Sequence, residues 1–139
     1  MDTYPKIFLY RRLVQSKLFI DEHFSEKIDV VNIADEAYCS KFHFIRLFKK
    51  TYGRTPHQYL TFVRLEHARM KLQTNNSVND VCFDVGFESP TSFTTLFKRR
   101  YGLTPSAYRT EQLQLSMERK ETPLKFIPGC ITAKFELDK

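Results

Sequence analysis

Two short runs of side chains in this sequence have the chemistry needed to touch base edges and the phosphates around them. The first is Lys41, Phe42, Ile45, Arg46, Lys49 and Lys50, and the second is Thr91, Ser92, Thr94, Thr95, Lys98 and Arg99. At helical spacing each run gathers on the outer side of one helix. An arginine such as Arg46 can hold a guanine through two hydrogen bonds, threonine and serine hydroxyls can serve any base, and lysine and arginine neutralise phosphates. Phe42 and Ile45 admit two readings: contact with thymine methyl groups, or packing on a neighbouring helix of the same chain. Ser40 and Ser89 stand one residue before the two helices, where a serine oxygen caps the first turn. The free amide groups of such a turn also suit a phosphate.

Other chemistries find less support. Cys39 and His43 lie four apart, as metal ligands on one helical side can, but no third ligand has suitable spacing. No Ser/His/Asp arrangement and no phosphate loop is present, so an enzyme is not expected and neither a metal nor a cofactor is implied. The three cysteines, Cys39, Cys82 and Cys130, are widely spaced and form no CxxC pair. That argues against a disulfide framework or a zinc module and suits a reducing compartment. Met1 to Arg12 has no apolar core of a secretory signal, and no run nears ~18 apolar residues, so no membrane partner is expected. A cytoplasmic, nucleoid-associated location follows. The formal net charge of +6 over 139 residues makes a polyanion the natural partner.

The elements that must position these residues are legible from caps and periods. Gly is scarce at 4 and the hydrophobic share is 42%, so an all-α domain with a real core is expected. Residues 7–25 read as an amphipathic helix, with Ile7, Leu9 or Tyr10, Leu13, Val14, Leu18, Ile20 or Asp21, and Phe24 as its apolar stripe. Asp29 caps a short helix from Val30 to Ala37, and Ser40 caps Lys41 to Tyr52, which Gly53 ends. Thr55 then caps a long helix to about Thr74, with Pro56 at its first position and Gln58 completing a capping box. Ser77 caps Val78 to Val85, and Ser89-Pro90 opens a helix to Tyr101, which Gly102 ends. Thr104-Pro105 starts a last helix to about Gln114. Beyond it Thr122 to Gly129 carries breakers, and Cys130 to Leu137 alternates as a strand does.

One stretch occurs twice. Phe48-Lys49-Lys50-Thr51-Tyr52-Gly53-Arg54-Thr55-Pro56-His57-Gln58-Tyr59 returns 49 residues later as Phe97-Lys98-Arg99-Arg100-Tyr101-Gly102-Leu103-Thr104-Pro105-Ser106-Ala107-Tyr108. The helix before each copy also recurs, at an offset of 48, so the second turn is one residue longer. Each unit is thus a short helix, a turn and a second helix with a polar outer face, the plan of a helix-turn-helix. A helix of about 19 residues between them spans roughly 28 Å, against ~34 Å between successive major-groove faces. Two readers in one chain can then touch two groove segments without a dimer. Phe44, Leu47 and Phe48 in one unit, and Phe93, Leu96 and Phe97 in the other, are the expected inner faces.

This pattern resembles the DNA-binding domain of the arabinose-regulator (AraC/XylS) family. The residues that carry the resemblance are Gly86-Phe87, Ser89, Phe93, Phe97-Lys98, Gly102, Thr104-Pro105 and Tyr108-Arg109 in the second unit. In the first they are Ile33-Ala34, Ser40, Phe44, Arg46-Leu47-Phe48-Lys49, Gly53 and Pro56. The resemblance covers about residues 7–112. It implies about seven helices, two helix-turn-helix units joined by a linker helix, and a bacterial transcription regulator, most often an activator. It implies double-stranded promoter DNA as partner, with RNA polymerase as a second. It also implies a layout with the first unit at about 7–55, the linker at about 56–74, the second unit at about 77–112 and a tail over 113–139. Tyr38 stands where the first turn often has Gly, and Thr95 where many members carry Arg. Few residues precede the first helix, as in single-domain activators or a fragment. The competing reading is a helical interaction module that kept the fold without sequence-specific DNA binding.

Overall fold

Four of the helices begin where a side-chain oxygen can take the first free amides. Thr55 Oγ1 accepts from the Gln58 amide at 3.2 Å while the Gln58 side chain accepts from the Thr55 amide at 3.0 Å, so the expected capping box is closed in both directions. Ser77, Ser89 and Thr104 accept from the amides of Asp80, Ser92 and Ala107. The computed structural model describes residues 6–29 and 41–121. Within them lie six helices and no strand: α1 Lys6–His23, α2 Lys41–Tyr52, α3 Pro56–Lys71, α4 Val78–Asp84, α5 Pro90–Tyr101 and α6 Pro105–Glu121. The fold is all-α as expected. The expected helix Val30–Ala37, the turn residues Tyr38 and Cys39, the expected cap Ser40 and the expected strand Cys130–Leu137 fall outside the described residues.

Gly53 and Gly102 close α2 and α5 with φ of 78° and 81°, the left-handed region that favours glycine. Their amides reach back to the Lys49 and Lys98 carbonyls at 2.7 and 2.8 Å. Two boundaries differ by three residues or more from the sequence expectation. α3 stops at Lys71, three residues early, because the Thr74 hydroxyl and the Asn76 amide both take the Lys71 carbonyl, at 2.7 and 3.3 Å. Such local side-chain bonds compete with the helical ladder. The helix is therefore 16 residues and about 24 Å long. α6 instead continues seven residues past Gln114 to Glu121, through residues that favour helix and up to the first proline that follows.

Two apolar cores form, and α3 contributes to both. The first gathers Leu13 and Ile20 of α1, Phe44 and Phe48 of α2, and Tyr59, Leu60 and Val63 of α3. The second gathers Leu65, Ala68 and Leu72 with Val81, Cys82 and Val85, then Phe87, Phe93 and Phe97. The ring geometry is duplicated with the sequence. Phe44–Phe48, Phe48–Tyr52 and Phe48–Tyr59 lie at 6.0, 4.8 and 5.9 Å. Phe93–Phe97, Phe97–Tyr101 and Phe97–Tyr108 lie at 5.7, 4.6 and 5.6 Å.

The inward line of α1 differs from the expected stripe. Leu13, Ser16 and Ile20 are buried, whereas Ile7, Val14 and Leu18 are largely exposed. Ser16 is tolerated there because its hydroxyl donates to the Leu13 carbonyl at 2.7 Å.

The units meet at the end of α1. Phe24 packs against both cores and stacks on His67, ring centroids 4.0 Å apart. Arg64 of α3 donates to the Phe24 and Glu26 carbonyls at 2.7 and 3.0 Å. Gly86, in the turn of the second unit with φ of 101°, comes so close that a Cβ there would stand 2.8 Å from the Phe24 carbonyl oxygen and 2.9 Å from Arg64 Nε.

Candidate nucleic-acid interface

The buried phenylalanines of α2 and α5 dictate what those helices leave outside. With Phe44 and Phe48 inward, Lys41, Phe42, Arg46, Lys49 and Lys50 are exposed, and Ile45 is half-buried on the flank. Phe42 is 71% exposed, so most of its ring lies in solvent rather than against a neighbouring helix. With Phe93 and Phe97 inward, Thr91, Ser92, Thr95, Lys98 and Arg99 are exposed and Thr94 is half-buried. Ser89 is the half-buried cap, its Oγ 3.4 Å from the Ser92 amide. The structure thus brings the expected residues of each run onto one outer face. Ser40 lies outside the described residues.

Charge separates these helices from the rest of the chain. α2 and α5 hold seven basic residues and no acid. The whole chain nets only +6, so the remainder is close to neutral. Among the described residues, Lys41, Arg46, Lys49, Lys50, Lys98 and Arg99 have no carboxylate within ion-pair distance. Among the described residues, then, no acid diminishes these charges. The two faces are chemically unlike. α2 offers a guanidinium and an aromatic ring, whereas α5 offers hydroxyls, one of which is already engaged: Thr95 Oγ1 donates to the Thr91 carbonyl at 3.0 Å.

Glu66 of α3 fixes α5. It accepts from the Tyr101 hydroxyl at 2.7 Å and pairs with Arg69 at 3.2 Å and Arg100 at 3.5 Å. Burial pushes its carboxyl up, but the bonds from Tyr101 and Arg69 and the charges of Arg69 and Arg100 outweigh that and hold it below the usual range. Burial first, and then the bond to Glu66, push the Tyr101 hydroxyl up to about 12. α2 is braced through its neighbours: Asp21 of α1 accepts from the Tyr59 hydroxyl and from Lys17 Nζ, the latter at 3.0 Å.

Between α3 and α5 runs a groove of about 430 Å³, lined by Arg54, His57, Phe62, Leu96, Arg99 and Arg100 among others. The guanidinium carbons of Arg54 and Arg100 lie 4.0 and 4.5 Å from the centre of the Phe62 ring. Sequence reasoning did not single out Arg54, His57 and Phe62, which line this groove. The signal was present in the repeat, since Arg54 and His57 replace Leu103 and Ser106 of the other copy. Among the described residues no three His, Cys, Asp or Glu side chains gather as metal ligands, and no helix there is long and apolar enough to cross a membrane.

A protein family described as "Helix-turn-helix domain" matches residues 33–111. The chain is similar to the lactose operon transcription activator of Staphylococcus xylosus, 29% identical over 100 residues, which are 67% of this chain and 36% of that one. It is 33% identical over 115 residues to the uncharacterized HTH-type transcriptional regulator YbfP of Bacillus subtilis, covering 81% of this chain and 39% of the relative. It thus spans under two fifths of the length of these relatives. Among solved structures, the DNA-binding domain of AdpA, a global transcriptional factor in complex with a target DNA, aligns with a TM-score of 0.66 at 33% identity, over 80% of this chain and 96% of that one. The xylose-binding transcription activator XylR aligns with a TM-score of 0.60 at 30% identity, over 72% of this chain and 27% of that one.

Proposed function

This chain belongs to the arabinose-regulator (AraC/XylS) type of helix-turn-helix family, and from that membership we propose that it is a sequence-specific regulator of transcription that binds double-stranded DNA and activates. The observation that carries this reading is the pair of acid-free basic faces, without carboxylate partners among the described residues, presented at matching points of a duplicated unit. α2 reads one major-groove segment with Phe42, Arg46 and part of Ile45, and α5 reads the next with Thr91, Thr94 and Thr95. Ser92, Lys49, Lys50, Lys98, Arg99 and the helix starts that follow Ser40 and Ser89 hold phosphates. Lys41 lies at the same edge of α2. One copy of the chain meets both segments, and the half-sites differ because the faces differ. RNA polymerase is the protein partner such an activator would engage, and the nucleoid is where it would act. The DNA-binding domain is residues 1–112, with 113–139 as a tail whose first part continues α6.

The test is duplex binding across a salt series, followed by Arg46→Ala. The logarithm of the binding constant should fall linearly with the logarithm of salt, at about 0.9 per phosphate neutralised. Arg46→Ala should cost roughly 1–3 kcal/mol on the preferred site and relax preference at one position, with little loss on random DNA. Absence of duplex binding at low salt would leave the interaction module without DNA binding as the reading.

A further inference from the structure

We propose that the groove between α3 and α5 seats a phosphodiester segment of the DNA strand running between the two half-sites, with Arg54 and Arg99 as its phosphate ligands and Phe62 and Arg100 as positioning residues. The proposal deepens the DNA-binding reading and rests on it.

The charges converge from both units. Arg54 comes from the turn after α2, Arg99 and Arg100 from α5, and Phe62 from α3 between them. Neither Arg54 nor Arg99 has a carboxylate partner among the described residues, so both are available to an anion. Arg54 is held in advance, its guanidinium stacked on the Phe62 ring at 4.0 Å. A guanidinium fixed this way is weakly hydrated and has lost part of its freedom already, which lowers the cost of taking a phosphate. Arg100 plays another part. It stacks on the same ring but is ion-paired with Glu66, so its charge is answered and it helps to hold the ring in place. Glu66, beside the groove, is engaged by Tyr101, Arg69 and Arg100, and Glu88, which lines the hollow next to it, pairs with Lys27 at 4.0 Å.

Position supports the same occupant. A helix seated in a major groove runs between two phosphate backbones. Ser92, Leu96 and Arg99 form the side of α5 that faces α3, next to Thr91, Thr95 and Lys98 on the helical wheel. A second hollow, lined by Lys27, His57, Arg64, Glu88, Ser89 and Ser92 among others, shares His57 with the groove. The two make one trough along that flank of α5, where the backbone on the side of the first unit would run. Leu65, Leu96 and Phe62 give the trough an apolar floor suited to deoxyribose carbons.

The test uses the full chain, its selected duplex and Arg54→Gln/Arg99→Gln. The double variant should show a salt dependence shallower by about 1.8, the value for two phosphates, with base preferences at both half-sites unchanged. Single methylphosphonate linkages between the half-sites should weaken wild-type binding and leave the double variant indifferent. Arg99 makes no hydrogen bond, ion pair or ring contact among the described residues, so Arg99→Gln alone, with a change of about 0.9, keeps the test open if the double variant melts early. An unchanged salt slope, or a methylphosphonate penalty that persists in the variant, overturns the proposal. So does binding of inorganic phosphate that the variant abolishes while its DNA slope stays the same, which assigns the groove to a free anion. Wild-type protein that binds no duplex at low salt overturns this proposal and the function together.

Discussion

At the scale of single residues, glycines separate two physical demands that look alike in the sequence. Gly102 has open space where a Cβ would stand, so only its φ of 81° resists substitution. Gly86 has both a φ of 101° and a backbone oxygen 2.8 Å from the missing Cβ. Gly102→Ala should therefore cost about 1–2 kcal/mol. Gly86→Ala should cost about 2–4 kcal/mol, since it also displaces the Arg64 bonds. Denaturant titration of both variants checks the order, and equal losses would show that the turn at Gly86 opens without resistance. The caps were legible because their chemistry is local: Thr55, Pro56 and Gln58 specify a helix start within four residues. The close approach at Gly86 was not, because its cause is Phe24 and Arg64, far away in the chain. Arg54 escaped although it departs from Leu103 of the other copy, because a difference between repeats does not say which ring the side chain will meet.

At the scale of elements, α5 is the helix whose placement depends most on polar contacts, through Tyr101 and Glu66. The Tyr101 hydroxyl holds its proton up to about 12 in the folded chain, against about 10 when exposed. Its contribution to stability is full below the ordinary value and is lost as pH rises through the folded one. Stability should thus fall more steeply between pH 10 and 12 in wild type than in Tyr101→Phe. Melting temperatures measured in parallel cancel the lysines that titrate in both proteins, and superimposable curves would sink the idea. Caps and terminating glycines placed α2 and α5, with Ser40 and Gly53 flanking one and Ser89 and Gly102 the other, and the phenylalanines inside each marked the inner face. Periodicity misjudged α1, whose apolar residues occupy more than one face, so that packing on α3 and not pattern decides which turn inward. It also misplaced the end of α3, where Thr74 and Asn76 take a carbonyl that a helix would otherwise keep.

At the scale of the whole molecule, the chain is two similar units around a shared helix, with Phe24 in both cores and Arg64 tying the end of α1 to the linker. Duplication was visible in the sequence, but the tie was not, since Phe24 and Arg64 lie outside the repeated stretch. A joint so filled leaves no room for one unit to swing against the other. For an operator this sets a grammar as well as a vocabulary. One inserted base pair shifts a half-site by about 3.4 Å along the axis and turns it by roughly 34°. A flexible tandem reader would absorb that, and this one should not: binding to a selected duplex should drop to the level of a single half-site on insertion of one base pair. Competition assays with spacer variants measure it. The order, orientation and distance of the two words would then be as much a part of the recognised sequence as the bases within them.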